Sequence, residues 1–138
     1  MTNFDIIYSM SHKLIFENSQ RQQLRHHEIN AILLLLEYFD SDITCVCPGF
    51  GRTPDLRIKN EEWELKSPIG DGANTIEKIL RKAAKQSKNI ILDFSRTKMN
   101  GNQAMAKTKF YLRTNKHSIK KLLVITKNHK IIDLKDFL

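Results

Sequence analysis

The sequence predicts an α/β protein with a mixed central sheet flanked by helices, in the order α-β-β-β-α-β followed by α-β-β. Three stretches carry that prediction. SQRQQLRHHEINAILLLLEYFDSD repeats apolar residues at helical spacing. TPDLRIKNEEWELK alternates apolar and charged residues, as paired strands do. NIILDF is a near-continuous apolar run between two basic segments, the pattern of a strand buried on both faces.

In chain order, residues 1–19 hold Phe4, Ile6, Ile7, Tyr8, Met10, Leu14, Ile15 and Phe16, which suit a short helix docking on the core. A long helix is expected from about Ser19, its N-cap, to Phe39. Leu24, Ile29, Ile32, Leu33, Leu36 and Phe39 line one side of it. Ile43 to Cys47 reads as a strand ended by Pro48-Gly49, and the turn-rich loop through Gly49, Gly51 and Pro54 leads to Asp55. A hairpin turning at Asn60-Glu61 places Leu56, Ile58, Trp63 and Leu65 on one face. Asp55, Arg57, Glu64 and Lys66 fall on the other. SPIGDGAN is a loop, and Asn74 or Thr75 caps a helix through about Ser87, with Ile76, Ile79, Leu80 and Ala83 inward. Asn89 to Phe94 is the buried strand. Ser95 to Asn100 is less regular and basic, Asn102 to His117 is helical, and Leu122–Thr126 and Lys130–Leu134 are short strands joined at Lys127–His129.

The chain has 138 residues, and no repeat or linker divides it. It reads as one domain over 1–138: an extension at 1–19, a core at about 20–94 and a basic part at 95–138. Charge is uneven. Residues 1–69 carry seven Lys/Arg against ten Asp/Glu, a net −3, and residues 70–138 carry sixteen against five, a net +11, which together give +8. A basic half implies a polyanionic partner, nucleic acid before an anionic membrane surface. The two cysteines, Cys45 and Cys47, project from one strand face, where a disulfide fits poorly. They read as small buried thiols of a protein working in a reducing compartment. The longest apolar run, Ala31 to Leu36, is far short of a membrane span, and no stable membrane association is expected. The N-terminus has no signal-peptide pattern, so any export is expected to be through a larger parent chain.

The chemistry concentrates in Thr53–Lys66. In the expected hairpin, Asp55 and Glu64 are diagonal neighbours about 7 Å apart at Cβ. Two carboxylates at that spacing can share one divalent cation through oxygen ligands, with the Lys66 ammonium beside them. An alternating strand with charges outward is also the commonest surface strand, so the motif gains weight from its position in the element order. His26 and His27, beside Glu28, are about 100° apart on a helix and do not both face one site.

The first six elements resemble the core of the PD-(D/E)XK nuclease superfamily, the restriction endonuclease-like fold. Pro54-Asp55 opens the second strand and Glu64-Leu65-Lys66 lies on the third, where that fold carries its motif. More finely, PDLRIKNEEWELKSPIGDGANTIEKILRKAAKQSKNIILDF is similar to the C-terminal tRNase toxin domains of CdiA-type contact-dependent growth inhibition proteins. The similarity rests on Asp55, the block W-E-L-K-S-P, Asn74-Thr75-Ile76, Gln86-Ser87 and the strand ending in Asp93. The superfamily resemblance implies an ion, Mg²⁺ foremost with Mn²⁺ or Zn²⁺ as alternatives, held by Asp55 and Glu64. Such an ion polarises the scissile phosphate and acidifies its bound water. Lys66 would orient that water and offset developing charge. The resemblance also implies a first-helix glutamate completing the site, for which Glu28 is the candidate, and a bordering glutamine, Gln86. The similarity to the tRNase toxin domains implies tRNA as substrate and a cognate immunity protein. Action would be in a bacterial cytoplasm, the domain being delivered within a larger secreted effector or made as a cytoplasmic protein. Arg81, Lys82, Lys85, Lys107, Lys109 and Arg113 are candidate contacts to the nucleic-acid backbone.

The expectation is therefore a metal-dependent endonuclease acting on RNA, tRNA before DNA. Alternatives are a DNA endonuclease of the same fold, serving restriction, repair or a mobile element, and a non-catalytic nucleic-acid-binding domain. Intact Asp55, Glu64 and Lys66 weigh against the last. The aromatic residues occupy core-like positions, so no base-stacking platform is evident. No helix-turn-helix is evident either. Oligomeric state is not encoded in any visible pattern.

Overall fold

In the computed structural model, residues 6–9, 12–17, 24–46 and 55–138 are described. The chain is mixed α/β, and residues Met1–Trp63 and Glu64–Leu138 form two compact units. The first carries six Lys/Arg against nine Asp/Glu, a net −3, and the second seventeen against six, a net +11. The charge division seen in the sequence therefore follows the structural one.

The first unit contains β1 (Ile6–Ser9), β2 (His12–Phe16), α1 (His26–Phe39), β3 (Ile43–Val46) and β4 (Asp55–Ile58), with the start of β5 (Glu61–Lys66). β1 and β2 pair antiparallel, with Ile6 opposite Ile15. β2 runs parallel to β3, and β3 antiparallel to β4 with Cys45 opposite Leu56. The N-terminal segment thus forms a hairpin where a helix was expected. A short apolar run fits either period, and β-branched Ile6, Ile7 and Ile15 tip the balance toward strand. Helix α1 begins at His26, not near Ser19, which lies outside the described residues together with Cys47 and the Pro48–Pro54 loop. Of the expected row only Ile32 and Leu36 are buried; Ala31 and Leu35 take the other buried apolar positions, and Leu24, Ile29, Leu33 and Phe39 are half-buried. Leu14, Ile43, Cys45, Leu56, Ile58 and Trp63 are also buried, and the Phe39 and Trp63 rings meet edge to face at 5.3 Å.

The turn after β4 falls on Lys59-Asn60, one residue earlier than the sequence suggested. Both residues have positive φ, 49° and 68°, as a two-residue type I′ hairpin turn requires. Arg57 Nη2 accordingly reaches Glu62 Oε1 at 3.7 Å. The same guanidinium donates to Glu17 Oε2 at 2.8 Å, and this hydrogen bond with Glu17 raises its already high pKa.

The second unit holds the rest of β5, α2 (Thr75–Gln86), β6 (Asn89–Asp93), α3 (Gly101–Thr114), β7 (Lys121–Ile125), β8 (Ile131–Asp133) and a final 3-10 turn (Lys135–Phe137). β5, β6 and β7 run parallel, with Glu64 opposite Ile90 and Ile90 opposite Leu122; β8 closes antiparallel on β7. Ile90, Ile91 and Leu92 are all fully buried, which is the both-faces burial that NIILDF implied. Ile76, Leu80 and Ala83 of α2 pack with Ile90, Leu92, Leu122 and Val124 and with Ala104, Tyr111 and Leu112 of α3. Each large buried aliphatic side chain contributes roughly 1.5–3 kcal/mol, so this core fixes β6, the strand with which β5 pairs. Helix α3 starts where Asn100 Oδ1 accepts from the Asn102 and Gln103 amides, at 2.9 and 3.4 Å. It stops at Thr114, three residues short of the expected end.

Candidate functional site

Strand β5 explains why its polar side chains alternate. Leu65 is buried on one face, and Glu64 and Lys66 project from the other, the face that Ile90 and Leu92 share in the parallel register. The Glu64 side chain is only 6% exposed and that of Lys66 13%, and Lys66 Nζ lies 3.4 Å from Glu64 Oε1. An acid this deep in a sheet needs charge-compensating partners, and the lysine is one. The structure therefore brings together the second carboxylate of the motif and its lysine.

After Lys66 the chain leaves the sheet through Ser67–Ala73, and segment 95–100 fastens this loop. The Lys98 amide donates to the Ile69 carbonyl at 2.8 Å, and Thr97 Oγ1 donates to the Gly70 carbonyl at 3.1 Å. Thr97, 4% exposed, also accepts from the Met99 amide. The basic segment 95–100, which the sequence left without a role, thus clamps the exit from β5. One backbone and one side-chain donor reaching carbonyls far away in the sequence leave no local pattern to read, so no motif announces them.

Asp55 opens β4 in the first unit and is half-buried. Glu28 lies in the first turn of α1, is 7% exposed, and accepts from the Arg25 amide through Oε1 at 2.8 Å. That bond satisfies an amide the helix start would otherwise leave unpaired. Among the described residues Glu28 thus has a helix-capping partner. Among the described residues no three His, Cys, Asp or Glu side chains converge to hold a metal ion.

Gln86 is the last residue of α2, exposed, and four positions before Ile90, the strand partner of Glu64. Arg81, Lys82 and Lys85 are exposed on α2, with Arg81 Nη2 bonded to Glu77 Oε1 at 2.8 Å. On α3 the expected basic row divides. Lys107 Nζ donates to the Ala73 carbonyl at 3.2 Å, and Lys109 Nζ sits 4.7 Å from the centre of the Phe137 ring. Both tie α3 to neighbouring segments, while Arg113 is exposed.

One feature of α3 escaped the sequence reading. Ala104, Thr108, Tyr111 and Leu112 are its buried residues, and Phe110 is 59% exposed. Phe110 does not occupy the core-like position expected of the aromatic residues, because the buried i, i+4, i+7, i+8 row runs through Tyr111. No helix among the described residues is long and apolar enough to cross a membrane.

The comparisons with known proteins bear on the region that carries these residues. The family described as "Contact-dependent growth inhibition CdiA C-terminal domain" matches residues 52–131, more than half of the chain. No curated protein matches significantly. Among solved structures the chain is similar to a "CdiA-CT/CdiI toxin and immunity complex from Burkholderia pseudomallei", with a TM-score of 0.55 and 15% identity over 79% of this chain and 82% of that one. At that identity the likeness is one of fold. The family match reaches further, and by it the chain belongs to the CdiA C-terminal domain family of contact-dependent growth inhibition.

Proposed function

We propose that the chain is a toxin domain of the PD-(D/E)XK type, a metal-dependent endonuclease that hydrolyses phosphodiester bonds in RNA, with tRNA as the principal substrate. The observation that carries this reading is the buried Glu64–Lys66 pair on β5, at 3.4 Å, within a unit of net charge +11. Deeply placed charges need compensation and favour functional sites.

Asp55 and Glu64 are the proposed ligands of the ion. Their donors are carboxylate oxygens, which suit Mg²⁺ or Mn²⁺ better than Zn²⁺, an ion more often held by nitrogen and sulfur. When bound, the ion supplies charge neutralisation at the phosphate and acidifies a coordinated water. Lys66 supplies an ammonium whose N–H groups orient the attacking water and offset the negative charge gathering on the phosphate oxygens. Gln86 is the proposed neighbour of the reacting phosphate. Arg81, Lys82, Lys85 and Arg113 grip the backbone at positions away from the scissile bond, a contact that carries affinity without sequence information.

The solved neighbour is a toxin and immunity complex, and a cognate immunity protein is part of the proposal here as well. Its surface would be acidic, covering the Lys/Arg face or closing the site. Delivery within a larger effector into a target bacterium's cytoplasm completes the reading.

Wild type, Glu64→Ala and Lys66→Ala, each given total tRNA, plasmid DNA and single-stranded DNA with Mg²⁺ or EDTA, test it. Discrete tRNA fragments from wild type, abolished by EDTA and reduced about a hundredfold or more in both variants, are expected. Cleavage of DNA with tRNA intact would overturn the substrate. Binding without any cleavage would overturn the enzyme.

A further inference from the structure

Between the start of α2 and the length of α3, wholly within the second unit, lies a groove of about 740 Å³. That is within the range of roughly 300–1,000 Å³ typical of small-ligand sites. Phe110 stands in it at 59% exposure, the most exposed large apolar side chain among the described residues. Its ring contributes little to the core, whereas Tyr111 and Leu112 beside it are 5% exposed. Lys107 and Arg113, three residues to either side, share its face of the helix and also line the groove. The Lys107 ammonium is pinned there by the Ala73 carbonyl at 3.2 Å. The acid in the lining, Glu77, is already engaged by Arg81 at 2.8 Å, so the groove presents positive charge.

Asn115 adds a polar edge. Its Nδ2 donates to the Tyr111 carbonyl at 3.2 Å and to Thr114 Oγ1 at 3.1 Å. Its Oδ1 has no partner among the described residues and can accept from an exocyclic amino group.

We infer that this groove is a subsite for an unpaired nucleotide of the substrate strand. The base stacks on Phe110, and its flanking phosphates are held by Lys107 and Arg113. The inference rests on the nucleic-acid reading above and adds a place and a preference to it: single strands or loops over continuous duplex. An exposed ring between two cations is how single-stranded binders combine stacking with phosphate contact. A broad apolar protein-docking patch would instead present several such side chains together.

Binding in EDTA separates this from catalysis. Fluorescence anisotropy would follow a short oligoadenylate RNA, its DNA equivalent, an abasic version and an RNA duplex. Phe110→Ala is expected to weaken the single strands about five- to a hundredfold, the effect of losing one stacked base. Abasic and duplex probes should change less than about twofold, with the melting temperature unchanged. Phe110→Trp should bind within about threefold of wild type and show quenched fluorescence on mixing, since a larger ring can stack equally well. RNA and DNA strands affected alike would assign the ring to the base; an effect on RNA alone would add a contact to the ribose hydroxyl.

If wild type binds and cleaves while Phe110→Ala matches it on every probe, the subsite falls and the nuclease reading stands. If Phe110→Ala loses only an immunity protein's grip, the groove is a protein-docking surface and the subsite again falls. If wild type binds no nucleic acid, both readings fall together.

Discussion

Lys66 holds its ammonium 3.4 Å from Glu64 Oε1, two residues back along β5, with both side chains nearly out of solvent. Removing either charge leaves the other buried with less compensation. Glu64→Gln and Lys66→Met are each expected to lower unfolding free energy by about 1–3 kcal/mol, below the full buried-pair range because the lysine keeps some solvent contact. The double variant should lose less than the sum. Urea denaturation of the four proteins measures this, and additive losses would mean that the two groups do not interact.

Glu28 accepts from the Arg25 amide at the start of α1 at 2.8 Å. Glu28→Ala should therefore cost about 1 kcal/mol through the lost cap. Glu28→Gln, which keeps an acceptor, should leave both stability and cleavage within about tenfold of wild type, the scale of an indirect contribution. A cleavage loss as deep as that of Glu64→Ala, with the fold intact, would instead assign Glu28 to the metal.

The Lys59-Asn60 turn places two non-glycine residues at positive φ. Asn adopts that region readily, whereas Lys59 adopts it at a cost of about 1 kcal/mol. Lys59→Asn combined with Asn60→Gly, the favoured type I′ pair, should raise the melting temperature by several degrees. A drop on thermal denaturation would mean that the turn is not of this type.

Asn100 caps α3 through two backbone amides, and α3 carries the face with Phe110 and Arg113. Asn100→Ala should cost about 1 kcal/mol, while Asn100→Asp should be nearly neutral. Circular dichroism melts would show the difference, and equal loss in both would point to a role other than capping.

The sequence by itself determined the class and most elements. Helix α2, strand β6 and strand β3 lie within a residue or two of where apolar period and caps put them, because those signals are local. The alternation of Glu64, Leu65 and Lys66 was equally legible, since a strand's two-residue period sends neighbours to opposite faces whatever surrounds it.

Tertiary structure decided the rest. Residues 6–9 and 12–16 pair as strands, since β2 runs alongside β3, a partner no local window contains. The turn moved by one residue to Lys59-Asn60, because a hairpin's register follows the backbone twist its loop can supply and not the charge pattern alone. Thr97 fastens the exit from β5, Lys107 reaches Ala73, and Phe110 turns outward while Tyr111 turns in. Each depends on which surfaces meet across long stretches of chain. Composition and spacing name the groups that can do chemistry, and packing chooses which of them are held still and which are left facing solvent.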